Sequence, residues 1–232
     1  MTAQPIPLDE RSAPDARAGA ASTAWPILAV LGIVGFVALT VALASGVVFP
    51  FDRQLLDFTK SWHSPKIIWD AFSQSANFPL IFLGVGFVVW LLWQKRYREA
   101  VLAILVLVAV TAGSEGVKQL TARQRPAGNG DGIPGVVYSY PSGHILECFT
   151  ILGMIALRLW RTTRHRRLAA LVVVLVVIEL IFVGIARVAL QEHFPTDLLG
   201  GLFGGIAALS IYAWFTRPGG WADRPPLPAR PA

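Results

Sequence analysis

Cysteine is nearly absent from this 232-residue chain: Cys148 stands alone. That excludes an intramolecular disulfide and any metal site built on two thiolates. Charge is scarce too, at 15% of residues against roughly 25% in soluble domains, so the charges must be confined to short segments. The formal net charge of +6 does not point to nucleic acid. The lysines and arginines lie in short clusters between apolar runs, the pattern the positive-inside rule produces, and no nucleic-acid partner is expected.

Apolar sequence is abundant, at 54% of residues. A helix needs about 20 mostly apolar residues to cross a bilayer. Six segments qualify, at 25–48, 78–93, 99–117, 143–160, 168–186 and 196–215, the second of them short. The expected fold is therefore all-α: a polytopic membrane protein of six transmembrane helices. The run from Trp25 is longer than the apolar core of a secretory signal and no cleavage site with a soluble domain follows it, so it reads as a retained span. Residues 49–77 carry apolar side chains at helical spacing among charges, as in an amphipathic helix at the membrane surface between the first two spans. Residues 1–24 lack periodicity and read as a disordered cytoplasmic tail. Residues 25–215 form the membrane domain, and 216–232, with five prolines, form a flexible cytoplasmic tail.

The basic loops QKRYR (94–98) and RTTRHRR (161–167) orient the spans with both termini in the cytoplasm of a bacterial-type cell membrane. Loop 118–141 departs from the rule: it carries Lys118, Arg123 and Arg125, yet falls on the extracytoplasmic side. The turn 187–197 and the surface segment 49–77 share that side, so Lys118, Arg123, Arg125, Ser142, His144, Arg187, His193 and Asp197 converge at one membrane level. Charged groups beside hydrocarbon are costly and mark function.

These residue types suit a phosphate. Arginine forks and a lysine neutralise a dianion. Pro141 opens the fourth span, where the backbone N–H groups of Ser142, Gly143 and His144 can face an anion and Gly143 allows close approach. Of two histidines at one phosphate, one attacks phosphorus and the other protonates the leaving oxygen. Asp197, four residues after His193, is placed to hold one ring nitrogen. A zinc site needs three or four close ligands, which several arginines would oppose. No metal and no cofactor is expected.

KQLTARQRP (118–126), PSGH (141–144) and ARVALQEHFPTD (186–197) resemble, in order and spacing, the three motifs of the type-2 phosphatidic-acid phosphatase superfamily. That superfamily includes glucose-6-phosphatase and, more distantly, the vanadium haloperoxidases. The resemblance implies a six-span membrane phosphatase with His193 as nucleophile, Asp197 as its partner and His144 as general acid. It implies phosphate binding by Lys118, Arg125, Arg187, Ser142 and Gly143, and turnover through a phosphohistidine that water hydrolyses. The serine that opens the family's third motif is Ala186 here, one hydroxyl fewer at the site.

A site at the bilayer surface of a chain with little soluble mass suits a lipid phosphate: undecaprenyl pyrophosphate, phosphatidylglycerol phosphate or phosphatidic acid. The alternatives are a phosphotransferase serving an acceptor other than water, an anion or lipid transporter using the cationic cluster, and a vanadate-dependent peroxidase. Arg123 reads as touching a headgroup or facing water. Glu115 and Glu147 read as supporting carboxylates for a cation or the acid. Glu179 is expected to face the bundle, GNGDG (128–132) to form a hinge, and His63 and His165 to be solvated. The pairs Gly200/Gly204 and Gly201/Gly205 read as helix packing.

Overall fold

In lipid every backbone polar group must be satisfied within the chain, so long apolar runs become helices. The computed structural model describes residues 16–62, 65–126 and 138–223. Eight α-helices occur among them: α1 Ala16–Ala44, α2 Pro50–Lys60, α3 Lys66–Ser75, α4 Phe78–Trp93, α5 Tyr97–Thr121, α6 Gly143–Thr162, α7 Arg166–Ala189 and α8 Pro195–Phe215. Six stretches are long and apolar enough to cross a membrane: Ala24–Ala44, Lys66–Trp93, Tyr97–Thr121, Gly143–Thr162, Arg166–Ala189 and Pro195–Phe215. The all-α, six-span fold expected from hydropathy is the fold observed.

Segment 49–77 differs in detail from the expectation. It forms two helices, and α3 joins α4 in one candidate span of 28 residues. Polar side chains of α3 find partners on α7. Ser75 Oγ donates to Glu179 at 2.5 Å, so Glu179 faces the bundle, and Phe72 stacks on Phe182 with ring centroids 4.6 Å apart. The helix α2 is the amphipathic element, burying Asp52, Leu56 and Thr59 along one stripe. At the amino end α1 continues upstream of its apolar stretch to Ala16. At the other end, Arg98 Nη1 donates to the Trp221 carbonyl at 3.4 Å, tying the segment after α8 to α5. Residues 1–15, His63, the 128–132 segment and 224–232 lie outside the described residues.

The inner helices are α8 and α6, with 44% and 39% of their most apolar stretches buried, against 17% for α1 and α7. Phe87, Leu91, Ala103, Val106, Leu146, Met154 and Tyr212 form the main apolar core between α4, α5, α6 and α8. Glycine brings α8 close to its neighbours: a Cβ at Gly201 would lie 2.7 Å from the Ser142 carbonyl oxygen. The stripe read as packing therefore also seats the turn that begins α6. At the end of the bundle away from that turn, buried Glu99 accepts from Arg96 Nε at 2.7 Å and from the Tyr212 hydroxyl at 2.9 Å. Arg158 Nη1 lies 3.6 Å from the same carboxylate.

Candidate active site

Three chain segments meet at one end of the bundle. The first leaves α5, whose final turn carries Lys118 and whose C-cap, Ala122, is left-handed at φ 46°. Arg123, Gln124 and Arg125 follow, tied to the return segment by the Gln124–Tyr138 bridge and by a bond from the Ser139 amide to the Arg123 carbonyl, 2.8 Å. The second is the turn into α6. The Tyr140 hydroxyl lies 3.2 Å from Thr40 Oγ1 on α1, its ring stacks on Phe36, and the Tyr140–Pro141 peptide is cis. Ser142 is the N-cap of α6 and its amide donates to the Asp197 carbonyl at 3.0 Å. Of the three amides expected to face an anion, that of Ser142 is thus engaged. Gly143 and His144 remain as the first residues of the helix, where N–H groups have no intrahelical acceptor.

The third segment is the turn from α7 to α8. Arg187 is buried near the end of α7, donates from Nη1 to Ser73 Oγ at 2.8 Å and pairs with Glu192. Gln191, left-handed at φ 57°, reaches back to α2 by donating from Nε2 to Thr59 Oγ1 at 3.2 Å. His193 is 1% exposed. Its Nδ1 lies 3.4 Å from Asp197 Oδ2, a close approach slightly longer than a direct hydrogen bond. Asp197 is wholly buried, and its Oδ2 also accepts the Phe194 amide at 2.8 Å.

The three segments bring the predicted residues together. A Cβ built on Gly143 would lie 3.9 Å from Lys118 Nζ. The charges of Arg187, Arg125 and Lys118 all act on the His193 ring, and the same three cations and His193 act on His144. Burial, then those cations, hold the His193 pKa well below its ordinary value of 6.5, so the ring is neutral at neutral pH and keeps a lone pair. Among the described residues, Arg125 Nε, Ser142 Oγ, His144 Nε2 and Ser114 Oγ are buried without a hydrogen-bond partner. Unpartnered buried donors are costly, and a cluster of them beside three cations has the chemistry of an anion cradle.

The supporting carboxylates divide. Glu115 accepts from Lys118 Nζ at 2.5 Å and is 61% exposed. Glu147 accepts from Thr111 Oγ1 on α5 at 3.1 Å and lies within reach of the Lys118 charge. Arg123 is partly buried, with 16% of its side chain exposed, and it bonds Asp52, Thr196 and Asp197. His165 is exposed.

Asp52, Ser73, Thr196 and Glu192 are site neighbours that sequence reasoning missed. For Asp52 a signal existed. It lies at i, i+4 and i+7 spacing with Leu56 and Thr59, an acidic residue on a buried stripe.

Below the cradle an apolar cleft of about 450 Å³ runs between α1, α5 and α8. Its lining includes Ile33, Val106, Val117 and Ile211, and at its polar end Ser114, whose Oγ lies 4.0 Å from the Cβ position at Gly143.

The fold has a counterpart among solved structures, a transmembrane PAP2 type phosphatidylglycerolphosphate phosphatase from Bacillus subtilis. The two are 21% identical, with a TM-score of 0.64 over 80% of this chain and 95% of that one. The PAP2 superfamily pattern matches residues 99–219, just over half of the chain and the whole of the three-segment site apart from the residues given by α2 and α3. On that match, the chain belongs to the PAP2 superfamily.

Proposed function

We propose that this protein is an integral-membrane lipid phosphatase that hydrolyses a phosphomonoester or pyrophosphate through a phosphohistidine, without a metal. One observation carries the reading: a buried, neutral His193 backed by Asp197 faces Arg125, Arg187 and Lys118 beside unpartnered donors. With Nδ1 turned to Asp197, Nε2 is assigned as the nucleophile. It attacks phosphorus as the bond from phosphorus to the leaving oxygen breaks, and His144 protonates that oxygen. Water then attacks the phosphohistidine, giving its proton to His144, and the P–N bond breaks. Arg125, Arg187, Lys118, Ser142 Oγ and the amides of Gly143 and His144 stabilise the charge that builds on the equatorial oxygens.

The apolar cleft ending at Ser114 supports a substrate with a hydrocarbon tail, its phosphate in the cradle. Undecaprenyl pyrophosphate, phosphatidylglycerol phosphate and phosphatidic acid share that form. The positive-inside pattern supports a site on the extracytoplasmic face of the cell membrane, with both termini in the cytoplasm.

The test is phosphate release by the purified protein in detergent with chelator present, from each of the three lipids, for wild type and His193→Ala. Release that needs His193 and survives chelation is the expected result, and the panel ranks the lipids. Release undiminished in His193→Ala would overturn the reading. Release that appears only with an added alcohol acceptor would replace hydrolysis by transfer.

A further inference from the structure

The proposed chemistry leaves Arg123 unused, although it is the cation most tightly bound to the catalytic pair. Its Nη1 donates to Asp197 Oδ1 and to Thr196 Oγ1, each at 2.5 Å, and its Nη2 donates to Asp52 Oδ2 at 2.6 Å. The guanidinium lies over the Phe194 ring, 4.1 Å from its centroid. Asp52, from α2, is 3% exposed. Its Oδ1 accepts the Thr196 amide at 2.9 Å and its Oδ2 the Thr196 hydroxyl at 2.7 Å. Two buried carboxylates thus share one guanidinium, and one of them is the partner of His193.

We propose that Asp52 and Arg123 are positioning residues for the His193–Asp197 pair, with Asp52 supplying the net negative charge that lets Asp197 support a cationic His193 ring. The proposal rests on the phosphohistidine reading above.

When Nε2 bonds to phosphorus the imidazole becomes positive, and the charge is shared with Nδ1, which faces Asp197 Oδ2. Arg187, Arg125 and Lys118 oppose that charge from the phosphate side. An Asp197–Arg123 pair alone is neutral and offers the ring little in return. With Asp52 the group Asp52–Arg123–Asp197 carries one net negative charge behind the histidine. Geometry and charge act together: Arg123 holds Oδ1, the Phe194 amide holds Oδ2 at 2.8 Å, and the carboxylate cannot turn away. The Gln191 amide, two residues before His193, donates to the Leu56 carbonyl at 3.3 Å and Thr59 Oγ1 at 3.2 Å, docking the rest of the α2 stripe on the same turn. The other titratable groups around the pair are His144 on the phosphate side, Tyr140 beside Asp197, and buried Glu192, which precedes His193 and pairs with Arg187 in wild type and variants alike.

A purely structural Asp52 would tie α2 to the start of α8 and do no more. Kinetics separates the two roles. The full-length protein in detergent is assayed for phosphate release from dioctanoyl phosphatidic acid between about pH 4 and 8, as wild type, Asp52→Asn, Asp52→Glu, Arg123→Lys and His193→Ala. Asp52→Asn is expected to lower kcat about ten- to a hundredfold, the loss of one charged interaction, with KM changed less than about threefold. The acid limb of kcat/KM, where His193 takes up a proton, is expected to move to lower pH, because removing a negative charge disfavours the imidazolium. Asp52→Glu should restore most of kcat.

Asp52→Asn with wild-type kcat and an unmoved acid limb overturns the proposal. So does a kcat loss shared equally by Asp52→Glu and matched by a fall in melting temperature. Should Asp52→Asn fail to accumulate, Arg123→Lys decides: a single ammonium cannot bridge both carboxylates, so kcat must fall with KM kept, and wild-type kcat overturns the proposal. An active His193→Ala would instead sink the phosphohistidine reading. An inactive His193→Ala beside an unaffected Asp52→Asn would sink this inference alone.

Discussion

Replacing Gly201 by alanine should cost far more activity than the same change at Gly204, one turn along the same face of α8. A Cβ at Gly201 would meet the Ser142 carbonyl oxygen at 2.7 Å, Ile145 Cβ at 3.1 Å and the Leu146 amide nitrogen at 3.2 Å. Two of these are backbone atoms in the first turn of α6, so the contact is relieved only by moving that turn. A Cβ at Gly204 meets Leu146 Cδ1 at 2.8 Å and the Phe36 ring at 3.3 Å, side-chain atoms that can rotate aside. Comfortable carbon contacts lie near 3.5 Å, so the α6 turn must retreat by about half an ångström or more. Misplacement of reacting groups by 1 Å can cost about a hundredfold in rate. Half of that, applied to Ser142, Gly143 and His144, predicts roughly a tenfold loss of kcat for Gly201→Ala. Both variants should lose about 1–3 kcal/mol of stability from overpacking. The assay is phosphate release alongside thermal melting in the same detergent. Equal kcat in the two variants, or a larger loss at Gly204, would refute the claim that α8 sets the position of the cradle.

Ser73→Ala removes the hydroxyl that accepts from Arg187 Nη1 at 2.8 Å; a hydrogen bond to a charged group contributes about 1.5–3 kcal/mol. A weaker hold on phosphate is expected, read as a higher inhibition constant for inorganic phosphate. Acid should destabilise the fold through His193. Its folded pKa lies well below the unfolded value of 6.5, so only the unfolded chain takes up that proton, and stability is full above pH 6.5 and falls below it. The slope contributed is up to about 1.4 kcal/mol per pH unit, and melting from pH 7 to 5 should show His193→Gln to be less acid-sensitive than wild type. Glu99→Ala strips Arg96, Arg158 and Tyr212 of a shared buried acceptor. It should lower stability by about 3–5 kcal/mol while leaving phosphate release per folded molecule unchanged, since Glu99 lies at the far end of the bundle.

Much of this molecule is legible in its sequence because bilayer thickness and backbone hydrogen bonding restrict the solutions so tightly. The six spans follow from hydropathy, and the Lys118, Ser142 and His193 segments, alternate in chain order, return to one end of the bundle. What hydropathy could not supply is how α3 packs. Ser73 and Ser75 count against a membrane position one residue at a time, yet each is matched by a polar group of α7, Arg187 and Glu179. The two pairs join residues 114 and 104 apart in the chain, beyond the reach of any local window. The same blindness hid Asp52, whose partners Arg123 and Thr196 lie 71 and 144 residues away in the chain. Arg123 is visible as a cation, but its partners on α2 and α8 are set by contacts distant in the chain. The Ser142 amide was unreadable for a related reason, since its acceptor is a carbonyl on another helix.

The family match and the working unit have different boundaries. The match begins at Glu99, yet Arg123 is completed by Asp52 of α2, Arg187 by Ser73 of α3, and Tyr140 by Thr40 of α1. A fragment cut to the matched stretch would retain every motif residue and lose what aims them. Grafting the three motifs onto another bundle would meet the same shortfall. The portable module is the motif set together with the first three helices, which makes the amino-terminal third as much a part of the proposed catalytic apparatus as the histidine.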